Sequence, residues 1–305
     1  TVAVSYGSAW LGSVYAETTS ILTLLLLKLV GWFGNVPFAF LNARYSILDV
    51  VIAYSTFAIV LQLATWRLRK ISVLGGLILV NALLVYGIFW TSSPCLRVTF
   101  IDVGQGDAIL IEFPDGRNLL LDGGPRTQNS DAGARFIAPF LRYRGITRVD
   151  QVVISHPHSD HLGGIPYLMR NFRIGKIIDA GSSGHSLLDN EYAALIDSLK
   201  LPHSLLRSGM KLDAPAQVRM YCLYPSGFNI QSGEDSTANL NNESLVIKLL
   251  FGGTTLILMG DAERAAEQQI TRSYGTFVKC DVIKAGHHGS ITSSSSDLLA
   301  MVEPR

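Results

Sequence analysis

Ser155-His156-Pro157-His158-Ser159-Asp160-His161-Leu162-Gly163-Gly164 follows directly on the apolar run Val152-Val153-Ile154. Three of the chain's seven histidines and one aspartate fall within six positions. The apolar run reads as a buried strand that ends where the polar residues begin. A tight loop then presents four ligand-type side chains before a helix starts. Imidazole and carboxylate at this density suit a borderline divalent cation such as zinc or manganese. The bland alternative, a turn that happens to be rich in histidine, leaves the clustering unexplained.

The pattern His-x-His-x-Asp-His resembles the signature of the metallo-β-lactamase superfamily. The resemblance implies that His156 and His158 hold one metal and that Asp160 and His161 hold a second. It also implies further ligands downstream, and two more apolar runs end in suitable residues. Thr254 to Met259 reads as a buried strand leading into Gly260-Asp261-Ala262-Glu263, with Asp261 as the candidate bridging ligand. Cys280 to Ala285 leads into Gly286-His287-His288-Gly289-Ser290. Here His287 is the expected ligand, and His288 orients a substrate oxygen or supports the ligands. Asp160 and His288 are the residues expected to take part in catalysis. Superfamily members often supply one more histidine between the first motif and the bridging aspartate. His185 and His203 lie in that interval, in polar contexts that read as exposed loops. The matching position reads Asn241-Asn242-Glu243-Ser244, where Asn242 or a neighbour would replace the histidine, Asn242 being expected to support the ligands or meet substrate. A site so altered would hold one tight ion and one loose ion, zinc or manganese.

A narrower resemblance involves more of the chain. Asp102-Val103-Gly104-Gln105-Gly106-Asp107-Ala108, the histidine loop, Asn-x-x-Ser-Leu-Val, Gly-Asp-Ala-Glu and His-His-Gly-Ser-x-x-Ser-Ser-Ser occur in that order. As a set, over residues 96 to 305, they resemble the C-terminal hydrolase-like domain of the ComEC family, the inner-membrane channel of natural transformation. The strands flanking Gly-Gln-Gly suit a hairpin in which glycine takes a positive φ. The resemblance makes Asp122 a support for the metal loop. Asp107 either faces the site or closes its turn. Ser290 and the serines after it either bond phosphate oxygens or form a plain loop.

The fold expected is an α-helical membrane region followed by an α/β metallo-β-lactamase fold, an αβ/βα sandwich. The boundary falls at Thr91-Ser92-Ser93-Pro94, giving a membrane region over 1–90 and a hydrolase-like domain over 91–305. Residues 47–66 and 71–90 are each apolar enough and long enough to cross a bilayer, which takes ~20 helical residues. Ile21 to Pro37 reads as too short and broken for a simple span, and as an interfacial or re-entrant piece instead. Arg67, Arg69 and Lys70 between the two spans mark a cytoplasmic loop. The domain after Trp90 is then extracytoplasmic on a multi-pass inner-membrane protein. The chain opens on Thr1 and stops at Arg305, and it is expected to be a fragment. The resemblance implies a further strand and helix whose loss would leave an open edge and an uncovered sheet face.

Composition agrees with this division. Hydrophobic residues make up 48% of the chain and the mean hydropathy is +0.30. Five of the 25 basic and two of the 24 acidic residues precede residue 91, leaving 20 against 22 in the domain. That balance lends nucleic-acid binding no support. Arg142-Tyr143-Arg144-Gly145-Ile146-Thr147-Arg148 reads as a phosphate track or as a solvated helix end. Cys95, Cys222 and Cys280 are odd in number and widely spaced, which suggests neither a disulfide framework nor a thiolate metal site.

The function implied is DNA uptake, with a metal-dependent phosphodiesterase or nuclease acting on single- or double-stranded DNA beside other competence proteins. Two alternatives stand: a degenerate, non-catalytic DNA-guiding module, and a membrane-anchored metallohydrolase of a small ester.

Overall fold

The computed structural model describes residues 9–34, helical positions scattered between 54 and 82, and residues 95–181, 186–226 and 240–305. The chain divides into two compact units, Thr1–Ile88 and Phe89–Arg305. Each is described by itself.

In the first unit, helix α1 spans Ala9–Gly34 without a break. Its stretch Gly12–Trp32, 21 residues, is long and apolar enough to cross a membrane, and its side chains are largely exposed. This corrects the reading of residues 21–37 as too short and broken. The hydroxyls of Thr18, Thr19 and Thr23 each donate to the carbonyl four residues back. The polar first half thereby satisfies itself along the helix and continues the apolar second half. The runs 47–66 and 71–90 lie largely outside the described residues.

The second unit is a sandwich of two sheets with helices outside both. Its first half contains β1 (Arg97–Phe100), β2 (Ile109–Glu112), β3 (Asn118–Leu121), a π-helical turn at Gly133–Ile137, α2 (Ala138–Tyr143), β4 (Arg148–Val149), β5 (Gln151–Val153) and α3 (Ser159–Leu162). It continues through α4 (Ile165–Asn171), β6 (Arg173–Ile174), β7 (Ile177–Asp179), α5 (Leu187–Leu199) and β8 (His203–Leu205). The second half adds β9 (Val218–Tyr224), β10 (Val246–Phe251), β11 (Thr254–Leu258), α6 (Arg264–Tyr274), β12 (Val282–Lys284) and α7 (Ser296–Val302). The sheets run β1-β2-β3-β5-β7-β8 and β12-β11-β10-β9, with β4 and β6 paired apart.

Alternation along each strand builds the layers. Ile109, Ile111, Leu119, Leu121 and Val153 of the first sheet meet Cys222, Ile247, Leu249 and Leu258 of the second. The intervening Leu110, Leu120 and Val152 face the other way, onto Leu141, Ile165 and Leu168 of the outer helices. Val246 and Ile257 turn outward onto Ala266 and Ile270 of α6 and Leu298 and Val302 of α7. Each such buried aliphatic side chain contributes ~1.5–3 kcal/mol, so a one-residue slip in any strand would exchange two cores at once. The expected uncovered sheet face is corrected here, because α6 and α7 cover the outer side of the second sheet. Strand β12 is its outermost strand on that side among the described residues. All three cysteines are free.

Candidate metal centre

The metal loop leaves β5 and is fixed from beneath. Asp122, just past β3, is buried, and its Oδ1 accepts the Ser155 amide at 2.7 Å. Its Oδ2 accepts the Ser155 hydroxyl at 2.7 Å and contacts His161 Nδ1 at 2.9 Å. Asp122 itself takes a φ of 63°, a left-handed conformation that aspartate tolerates better than most residues. The Ser155 hydroxyl also lies 3.1 Å from His156 Nδ1. One buried carboxylate and one hydroxyl therefore hold both ends of the loop. Helix α3 begins at Ser159, so Asp160 and His161 stand on its first turn. Gly106 is required where the β1–β2 connection crosses this turn: a Cβ there would sit 2.3 Å from the Asp160 carbonyl oxygen.

The loop's side chains fall into two sets. His156 Nε2 and His158 Nδ1 face each other at 2.9 Å. Asp160, His161, Asp261 and His288 form a second set whose ligand atoms all lie within 4.8 Å of one another. His161 Nε2 is 3.2 Å from Asp261 Oδ2 and 3.8 Å from Asp160 Oδ2. His288 Nε2 is 3.5 Å from both of those carboxylate oxygens. The ring centroids of His156 and His161 lie 4.2 Å apart, so the two sets are neighbours.

Burial and charge set the protonation of this group. Burial pushes His156 down to about 2, reinforced by the neighbouring His161 charge. Burial alone would also lower His161, but the Asp122 carboxylate, then Asp261, push it up to about 10. Burial would raise Asp261, yet the adjoining, charged His161 holds it well below the carboxylate range. Burial raises Asp122 in spite of its imidazole partner.

The second half supplies its share through loops. Asp261 follows β11, and its amide donates to the buried Ser244 hydroxyl at 3.1 Å. His287 and His288 follow β12 with φ values of 42° and 50°, a strain that costs on the order of 1–3 kcal/mol per residue. Of this pair the structure brings His288 into the four-residue group, whereas the sequence reading preferred His287. His287 Nδ1 lies 3.0 Å from Glu263 Oε1 and 3.3 Å from Thr292 Oγ1. Asp107 faces the site, paired with Lys284 and 3.7 Å from His288 Nδ1.

Asn242 is elsewhere. Its side-chain oxygen accepts the Glu263 amide at 3.2 Å and the Ala266 amide at 3.4 Å, capping the start of α6. Ser290 bonds Thr292 within its own loop at 3.1 Å. Ser293 bonds the Gly286 carbonyl at 2.6 Å, Ser295 caps α7, and the amides of Ser294 and Ser295 donate to the buried Glu267. These serines build the loop. His185 lies outside the described residues. His203 is exposed, as read, but it belongs to strand β8 and contacts Asp179 Oδ2 at 2.8 Å.

Sequence reasoning passed over Ser155 and Lys284 as site residues. Lys284 carried a signal, a lone cation in the otherwise apolar run Val282-Ile283-Lys284-Ala285. Ser155 carried none apart from preceding the first histidine.

The residues present fit a divalent cation. The buried His161 Nε2 and Asp261 Oδ1 make no hydrogen bond among the described residues. Unsatisfied buried groups cost ~1–3 kcal/mol each, and both point to one shared binding role. A mixed imidazole and carboxylate donor set suits zinc or manganese without choosing between them.

The family model of the metallo-beta-lactamase superfamily matches residues 101–215. ComE operon protein 3 of Bacillus subtilis is 26% identical over 276 residues, 84% of this chain and 34% of that protein. Competence protein ComA of Neisseria gonorrhoeae is 30% identical over 207 residues, 68% of this chain and 26% of that protein. The chain thus spans about a third or less of the length of these relatives. Among solved structures, the diiron beta-hydroxylase CmlA of Streptomyces venezuelae matches 63% of this chain and 35% of its own, at 14% identity and a TM-score of 0.40. The resemblance to the ComEC family read from the motifs holds along the chain, within which residues 101–215 match the metallo-beta-lactamase superfamily.

Proposed function

We propose that the chain is part of a membrane DNA-uptake protein whose hydrolase-like domain, residues 91–305, is a divalent-metal-dependent phosphodiesterase acting on incoming DNA. The observation that carries this reading is the Asp160, His161, Asp261 and His288 group with its two unsatisfied buried ligand atoms. The competence relatives support the setting. Helix α1 supports a membrane context, and the charge of Arg67, Arg69 and Lys70 supports a multi-pass topology with the domain outside the inner membrane.

His156 and His158 are the residues that would hold one zinc or manganese ion; Asp160, His161, Asp261 and His288 would hold the other. A bound ion of this kind lowers the pKa of water and polarises a phosphoryl oxygen. The protein's own groups do the rest. Asp122 keeps a proton on His161 Nδ1 and so directs Nε2 into the site. Ser244 orients Asp261 through its amide. Lys284 balances Asp107 and so removes a negative charge from the edge of a site that must receive an anionic phosphodiester.

The test incubates the full chain with single- and double-stranded DNA and manganese or zinc, beside Asp160→Ala. Metal-dependent cleavage that the substitution abolishes is the expected result. A folded, metal-loaded chain that leaves DNA intact would overturn it in favour of a non-catalytic DNA-guiding module. One observation favours that second reading: Asn242, where superfamily members often carry a histidine, caps a helix.

A further inference from the structure

We infer that a cavity beside the metal loop binds a single amine-bearing nucleobase, with Asp179, Tyr192 and His203 recognising its polar edge; the identity of the ligand rests on the phosphodiesterase reading above. The cavity has a volume of about 250 Å³, below the ~300–1,000 Å³ of sites for drug-sized ligands. It therefore suits one small ring system and excludes a base pair. His156 and Pro157 of the metal loop form one wall, and Ile196 of α5 forms part of another. Because the His156 ring also contacts His158 and lies against His161, an occupant would sit next to the candidate metal centre.

The polar groups at the rim are arranged to accept hydrogen bonds. Asp179 Oδ1 accepts the Gly181 amide at 2.8 Å. Its Oδ2 accepts the Tyr192 hydroxyl at 2.8 Å and lies 2.8 Å from His203 Nε2. Burial, then the Asp179 charge, push the Tyr192 phenol well above its ordinary range, so it remains a donor to Asp179. With its proton committed to Asp179, the Tyr192 oxygen keeps lone pairs free to accept. Asp189 and Asp197 add negative charge, and no lysine or arginine lines the cavity among the described residues. Phosphate is disfavoured in such surroundings. A flat ring carrying an exocyclic amino group satisfies both the apolar wall and the acceptor rim. Adenine, cytosine and guanine carry that group, and thymine does not.

The test titrates the metal-loaded full chain with phosphate-free deoxycytidine, deoxyadenosine, deoxyguanosine and thymidine, reading binding by saturation-transfer NMR. The three amino-bearing nucleosides are expected to bind saturably, thymidine at least tenfold more weakly, and inorganic phosphate is expected not to compete. Ala193→Phe fills the exposed mouth of the cavity from α5. It should weaken all nucleosides at least tenfold while leaving metal content unchanged. His203→Phe should narrow the deoxycytidine-to-thymidine ratio. Thymidine binding as well as deoxycytidine, competition by phosphate, or undiminished binding by a folded Ala193→Phe chain would each overturn the inference. Nucleoside binding without DNA cleavage would defeat the phosphodiesterase reading alone. Cleavage without nucleoside binding would defeat this one alone.

Discussion

The two halves of the sandwich hold their shares of the candidate site by different means. The first half holds Ser155 to His161 by side chains: Asp122 takes two hydrogen bonds from Ser155 and one contact from His161, all buried. The second half holds Asp261 and His288 mainly by backbone. Asp261 hangs on one bond from its amide, and His288 sits in a left-handed segment with a quarter of its side chain exposed. Buried, fully satisfied polar networks specify one geometry. A strained loop at the rim holds its geometry less firmly. The first half is therefore a preformed cradle, and the second half closes on it.

The largest effect should come where the halves meet. Asp261→Ala removes the carboxylate that faces both His161 and His288. Metal bound by the purified chain, measured by elemental analysis against free metal, should fall by more than ~100-fold in affinity, beyond the ~10–100-fold typical of an outer-shell loss. Retained binding would mean that the first half suffices alone.

Asp122→Ala strikes the cradle from below. It should weaken metal binding by ~10–100-fold, and it leaves the buried Ser155 amide and hydroxyl short of an acceptor, at ~1–3 kcal/mol each. Chemical denaturation of the metal-free chain separates the second cost from the first. The matching test in the second half compares His288→Ala with His287→Ala. Metal affinity should drop in the former. The latter loses partly exposed contacts with Glu263 and Thr292, and exposed pairs of the first kind contribute ~0–1 kcal/mol. Equal metal loss in both would remove the distinction drawn between the two histidines.

The same contrast explains what could be read from sequence. The first-half motif is continuous, so its candidate ligand types and its preceding strand were legible in ten residues. Ile109 to Ile111 and Leu119 to Leu121 are apolar throughout, so sequence marks them as buried strands and only the structure separates their two faces. The second half was legible only as types at strand ends. Which of His287 and His288 turns inward depends on two positive φ values, and nothing in a His-His pair reveals them. Asn242 looked like a ligand because of its place in the motif order, while the helix start that it caps lies some twenty residues downstream. Helix α1 was underestimated because the apolar run was read from Ile21, although the helix begins at Ala9 and its Thr18, Thr19 and Thr23 hydroxyls return to its own carbonyls.

Asn242 therefore offers a sharp and smaller test. If it caps α6, Asn242→Ala should cost ~1 kcal/mol of stability, within the ~0.5–2 kcal/mol range of lost helix caps, and leave metal affinity unchanged. If it holds an ion, the order of effects reverses. Titration of metal content and a denaturation midpoint on the same variant decide the matter.

A pH-dependent effect concerns the interior that both halves share. Cys222 of β9 is fully buried between the sheets, and burial pushes its thiol up to about 12 from an ordinary 9.0. A thiol raised in the folded state binds its proton where the unfolded chain has already released it. Its contribution to stability is therefore whole below about pH 9 and is lost progressively as pH rises from there toward 12, on the order of 1 kcal/mol per unit. Denaturation of the metal-free chain at pH 8.5 and 10.5 should show that decline, and Cys222→Ala, though less stable at both values, should show a shallower one. An unchanged slope would mean that other groups carry the alkaline loss and that the layer between the two halves admits charge more readily than its packing implies.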